Sequence, residues 1–133
     1  VLNKEINTND RRKDPRYEAV VNVTVYIGID SFPGIMRDIS INGIGIISKK
    51  KIEPGTKIYI TLPLKGQYVI QGVVVWSSDW IDEFETFYRM GIETYEITHS
   101  GIKALSIPEK SAMLDEMLSQ IVEAGKEISL KTR

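Results

Sequence analysis

Two clusters of the sequence hold residue types that could do specific chemistry. The first is Arg12-Lys13-Asp14-Pro15-Arg16, with Arg11 just before it, which sets two arginines four apart. The second is Asp38-Ile39-Ser40-Ile41-Asn42-Gly43, a D-x-S-x-x-G spacing. Each has a plain structural explanation. Runs of basic residues usually sit in water, so the first could be a solvated loop. The second could be a polar turn in which Asp38 and Ser40 bond the local backbone and Gly43 takes a positive φ. Their occurrence together, in this order and flanked by strand-like segments, is much rarer than either alone.

Other candidates for chemistry are weaker. Asp79, Asp82, Glu83 and Glu85 form an acidic segment, but no phosphate-cradling loop accompanies it, and carboxylates are normally exposed. His99 is the only histidine; in a Thr-His-Ser stretch it reads as a surface or capping residue, because a metal site needs several donors. Lys49, Lys50 and Lys51 read as a solvated turn before Pro54-Gly55. Of Trp76 and Trp80, at the end of a strand and in the loop after it, one is expected in the core. Cysteine is absent, which excludes disulfides, thiolate metal sites and a cysteine nucleophile and fits a reducing cytoplasm. No nucleophile, base and orienting group come together in the sequence, so an enzyme is the least favoured class.

The elements that must position these clusters follow from periodicity. With 133 residues and 42% hydrophobic content, one domain with one core is expected. The 17 basic and 18 acidic residues leave a net charge of -1, so any basic site must be local, and a general polyanion binder is disfavoured. The apolar runs are far short of the ~20 residues that span a bilayer. Residues 1–10 read as a mobile arm and 126–133 as a tail, and the start at Val1 leaves room for an upstream segment. Between them, residues 11–125 read as the folded domain.

From 17 to 27 the chain alternates, with Ala19, Val21, Val23, Val25 and Ile27 on one face and Asn22, Thr24 and Tyr26 on the other, which predicts a half-buried strand. Further strands are expected over 34–39, 44–48, 57–62, 68–77 and 87–95, each bounded by turn residues. Six short strands predict an antiparallel barrel over about 16–96, since closure removes exposed edges. Residues 97–105 are longer than a connection to the next element requires. Met113, Leu114, Met117, Leu118, Ile121 and Val122 then recur at helical spacing. Ser106 and Glu109 fit a capping box, Pro108 suits a first turn and Gly125 a left-handed stop, so a helix over about 107–124 is expected to pack on the barrel.

The two clusters, with the late strand Tyr88-Arg89-Met90-Gly91-Ile92-Glu93 and the closing helix, resemble the PilZ domain family of bacterial receptors for the second messenger cyclic di-GMP. The likeness covers roughly residues 11–122. It implies a mainly β fold, a six-stranded antiparallel barrel with a C-terminal helix, and cyclic di-GMP as ligand with no cofactor or metal. By the same resemblance Arg12 and Arg16 serve phosphate and the Hoogsteen edge of guanine, with Arg11 as a third contact, and Asp38, Ser40 and Gly43 line the opposite side. The chemistry fits these roles. A guanidinium donates two parallel hydrogen bonds to guanine O6 and N7 and makes charge-assisted bonds to phosphate. A carboxylate accepts from guanine N1 and N2, a hydroxyl serves phosphate, sugar or base, and glycine admits close approach.

Like charges at Arg11, Arg12, Lys13 and Arg16 would hold the arm open until two phosphates neutralise part of that charge. The expectation is a disorder-to-order switch that presents a new surface to a protein partner, with one or an intercalated pair of ligands per chain. A PilZ-like interaction domain that acts without ligand is the alternative. A barrel that binds single-stranded nucleic acid should instead spread cations and aromatics across its sheet.

Overall fold

A computed structural model describes residues 14–81 and 84–130; Arg11, Arg12, the arm at 1–10, and Asp82 and Glu83 lie outside them. Strand β1 (Tyr17–Ile27) buries Ala19, Val21, Val23 and Val25, the face its alternation selects. It is followed by β2 (Asp30–Ile39), β3 (Gly43–Ser48), β4 (Lys57–Leu64), β5 (Gly66–Ile81) and β6 (Thr86–His99). Each pairs antiparallel with two others in the cyclic order β1-β2-β3-β6-β5-β4, and β4 returns to β1 through Thr24, Val25 and Tyr26. The six strands therefore close on themselves, and the fold is a mainly β, six-stranded antiparallel ring with one helix. Inside it Val25, Met36, Ile60, Leu62, Ile70, Met90 and Ile97 are almost fully buried. At about 1.5–3 kcal/mol for each large apolar side chain, burial of this interior is what stabilises the closed ring.

The segment at 97–105 continues the sheet. Strand β6 runs on to His99, Ser100 and Gly101 turn with φ of +53 and +78, and β7 (Ile102–Ala104) pairs back on β6. Two positive φ values in a two-residue loop match the right-handed twist of a hairpin. Helix α1 (Ile107–Glu123) then begins at the capping box formed by Ser106 and Glu109, and Gly125 follows its end at φ +85.

Met113, Leu114, Met117 and Ile121 of α1 are buried, whereas Leu118 is half-buried and Val122 exposed, so the apolar stripe is narrower than its spacing implies. Lys110 takes the remaining place on it. Polar contacts fasten the same helix: the Tyr68 hydroxyl donates to Glu116 Oε1 at 2.6 Å, and the Lys65 amide donates to Gln120 Oε1 at 2.9 Å. His99 is packed rather than superficial, its ring stacked on Tyr68 at 3.9 Å and its Nδ1 3.2 Å from Glu116. Beyond the helix, β8 (Ser129–Leu130) pairs with Tyr17 and Glu18 of β1. Among the described residues no helix is long and apolar enough to cross a membrane.

Candidate functional site

Three irregularities in the strands decide which side chains face outward. On β2 the buried positions Gly34 and Met36 would put Asp38 inside by simple alternation, but the register slips between Met36 and Asp38. On β5 the buried positions Tyr68, Ile70, Gly72 and Val74 would put Trp76 inside, but the register slips between Val74 and Trp76. A third slip, between Glu18 and Val21, bends β1 beside Asp38. An inserted residue turns the side chain after it to the other face of the sheet, and such bulges commonly re-aim residues at sites. Here they put Asp38 and Trp76 on the outer wall, and the expectation of one core tryptophan fails: Trp76 is 47% exposed and Trp80 42%.

The outer wall between them is floored by glycine. In the pairing of β3 with β6, Gly43 lies opposite Glu93 and Gly45 opposite Gly91, and Gly91 lies opposite Trp76 on β5. A Cβ on Gly43 would stand 3.0 Å from Arg16 Nη2, one on Gly45 would stand 2.8 Å from Asp38 Oδ1, and one on Gly91 would fall within the Trp76 indole. Each glycine thus lies beneath one side chain of the candidate site. Gly43 begins β3 in extended geometry and is not among the residues at positive φ, so its value lies in clearance for Arg16 rather than in turn conformation.

Arg16, at the entry to β1, donates from Nη1 to Asp38 Oδ1 at 2.5 Å, with side-chain exposures of 19% and 14%. The pair joins the two sequence clusters. Among the described residues the buried Nε–H of Arg16 finds no acceptor. Ser40 is 5% exposed; its amide donates to the Gly43 carbonyl at 2.8 Å and its hydroxyl lies 3.4 Å from the same oxygen, closing the turn. Thr94 anchors that turn to β6, its amide donating to the Asn42 carbonyl at 3.0 Å.

Arg16, Asp38, Ser40 and Gly43 are therefore together, along a cleft of about 1200 Å³ that also takes in Arg37, Trp76, Trp80 and Arg89. Sequence reading missed Trp76, because the signal that turns it outward is a bulge. A guanidinium can hold an oxyanion, a carboxylate can accept from N–H groups of a base, and an exposed indole beside a flat floor can stack on a planar ring. Among the described residues no group of three or more metal-ligating side chains occurs.

A family model described as PilZ domain matches residues 10–106. No curated protein matches the chain in sequence. Among solved structures, the chain is similar to the PilZ domain of YcgR from Escherichia coli with c-di-GMP, at 16% identity and a TM-score of 0.63, over 86% of this chain and 95% of that one. It is also similar to the Bacillus subtilis inhibitor of motility MotI/DgrA, at 18% identity and a TM-score of 0.58, over 86% and 53% of the two chains. A third likeness is to the K. pneumonia MrkH–c-di-GMP complex, at 16% identity and a TM-score of 0.61, over 87% and 55%. The chain thus spans about half the length of the last two proteins. At these identities the likeness is one of fold.

Proposed function

The chain belongs to the PilZ domain family, and from that premise we propose that it is a receptor for cyclic di-GMP that performs no chemistry of its own. The observation that carries this reading is the meeting of Arg16 and Asp38 over the glycine floor, which joins the arginine cluster and the D-x-S-x-x-G cluster in one cleft. The YcgR and MrkH structures to which the fold is similar were solved with c-di-GMP, in support of the same ligand.

In this proposal Arg16 serves a phosphate and the O6/N7 edge of a guanine, and Asp38 accepts from N1 and N2, which adenine does not offer in that pattern. Trp76 stacks on a base. Ser40 and Gly43 form the near wall, and Arg11 and Arg12 close over the ligand from the segment before Asp14. The ligand bridges that segment and the barrel, so binding orders the arginines and creates a surface for a protein effector. Protection from limited proteolysis near Lys13 at saturating ligand is the expected sign of this ordering; unchanged cleavage would count against it.

The primary test is isothermal titration with cyclic di-GMP, with GTP and cyclic di-AMP as controls. Saturable, guanine-selective binding that Arg16→Ala or Asp38→Ala weakens strongly is expected. A flat titration of folded protein would leave the ligand-independent interaction domain as the better account.

A further inference from the structure

Lys110 is 5% exposed and breaks two rules at once. Burial of an ammonium is costly unless it is paired, and the fourth residue of a helix lies at the positive end of the dipole, where a cation is disfavoured. Its neighbour Glu109 is engaged in the cap, accepting from the amides of Leu105 and Ser106. Among the described residues no carboxylate forms an ion pair with Lys110; its Nζ donates to Asn42 Oδ1 at 2.6 Å. The other end of that amide, Asn42 Nδ2, donates to Asp14 Oδ2 at 3.1 Å. The orientation of the amide is set by its neighbours, since the flipped form would place N–H against an ammonium and oxygen against a carboxylate.

One asparagine therefore relays the charge of Lys110 on α1 to Asp14, two residues before Arg16. Its backbone is held to β6 through Thr94, so the relay has a fixed centre. Pro15 restricts the backbone between Asp14 and Arg16, so fixing Asp14 helps fix where Arg16 enters β1. The relay also turns the Asp14 carboxylate toward Asn42.

We infer that Lys110 and Asn42 are positioning residues that pre-organise Arg16 through Asp14 and couple the ligand cleft to helix α1. The inference deepens the cyclic di-GMP reading and rests on it for its binding consequences. Holding one residue's backbone in place is worth roughly a factor of ten in affinity. Coupling is reciprocal in equilibrium binding, so ligand in the cleft stabilises the first turns of α1, and occupancy is read there.

The test is a double-mutant cycle with cyclic di-GMP on the full chain. Lys110→Met keeps the apolar stripe filled, and Lys110→Met and Asp14→Ala should each weaken binding about tenfold, with the double variant no weaker than either single. Penalties that add, or wild-type affinity in Lys110→Met, would overturn the relay, because simple loosening of the helix carries the same penalty in both backgrounds. Asn42→Asp is a second variant: it keeps an acceptor for Lys110 but repels Asp14, so it should weaken binding without loosening α1. A ligand-free readout separates the two proposals. Exchange of the Asn42 side-chain amide protons, followed by NMR, should quicken in both Lys110→Met and Asp14→Ala. If the wild-type chain fails to bind cyclic di-GMP, the receptor reading falls while this exchange still decides the relay; unchanged exchange rejects it.

Discussion

Adding one methyl group at Gly45 should damage both stability and ligand binding without altering any polar group. The Cβ would stand 2.8 Å from Asp38 Oδ1 and 3.2 Å from both its Cγ and Oδ2. Ordinary van der Waals contact begins near 3.4 Å, so the carboxylate must retreat by several tenths of an ångström. It cannot do so and keep its 2.5 Å bond from Arg16 Nη1 unless the arginine follows. A hydrogen bond to a charged group contributes about 1.5–3 kcal/mol. The alanine regains about 0.5–1 kcal/mol by restricting the unfolded chain. The net cost is therefore about 1–2 kcal/mol, which for a domain of this size lowers Tm by roughly 4–8 °C. If Asp38 and Arg16 together form the ligand site, affinity for cyclic di-GMP should fall at least about tenfold, since about 1.4 kcal/mol is one decade. Calorimetric melting and isothermal titration of Gly45→Ala against wild type read both quantities. Unchanged Tm and unchanged affinity would refute the claim that the glycine floor fixes the pair; lowered Tm with full affinity would separate the pair from the ligand.

Trp76→Ala should leave thermal stability nearly unchanged, because the side chain is about half exposed, while weakening cyclic di-GMP binding by about 1–3 kcal/mol if the indole stacks on a base; wild-type affinity by titration would remove Trp76 from the site. Burial, reinforced by the bond to Glu116, holds the Tyr68 hydroxyl above its usual pKa of 10. The unfolded chain therefore loses this proton first, so stability from Tyr68 is full below about pH 10 and declines as pH rises above it; urea melts across this range should show the decline, and Tyr68→Phe should flatten it. The capping bonds from Ser106 and Leu105 hold Glu109 below the usual carboxylate value of 4.5. Its contribution is present above that value and fades as pH falls through the lower folded pKa, a dependence that Glu109→Gln should abolish in acid melts. Ser106→Ala should cost about 1 kcal/mol at neutral pH, checked by denaturant unfolding.

The strand alternation of 17–27, the six-strand count and the capped helix were all legible because each is a local pattern whose period matches the element it forms. Register is different. Whether Asp38 and Trp76 face in or out depends on one extra residue in each strand, and a bulge leaves the composition of the strand unchanged. By alternation both would count as interior. The two D-x-S-x-x-G glycine neighbours illustrate the same limit: Gly43 was visible in the motif, but Gly45 and Gly91 acquire their role only from the pairing that sets them side by side. Lys110 carried a readable signal, a lysine at the i, i+3, i+4, i+7 positions of an apolar stripe, yet its partner lies 68 residues earlier in the chain.

The charge balance of the cleft bears on what it can select. Its described lining holds three arginines, Arg16, Arg37 and Arg89, against five carboxylates, Asp14, Glu18, Asp38, Glu93 and Glu127. A site built only to attract phosphate would not carry this excess of negative charge, because like charges in a partly enclosed cleft repel an anion before contact. Two of the carboxylates have hydrogen-bond donors: Asp38 accepts from Arg16 and Asp14 from Asn42. On the proposed reading, the described lining by itself would attract phosphate only modestly, and the base would add affinity through the N–H donors a guanine offers to a carboxylate and the face it offers to an indole. On this argument the acidic residues are a source of discrimination: a nucleotide with more phosphate charge and fewer bases gains less from the cleft and is repelled more, which favours cyclic di-GMP over GTP.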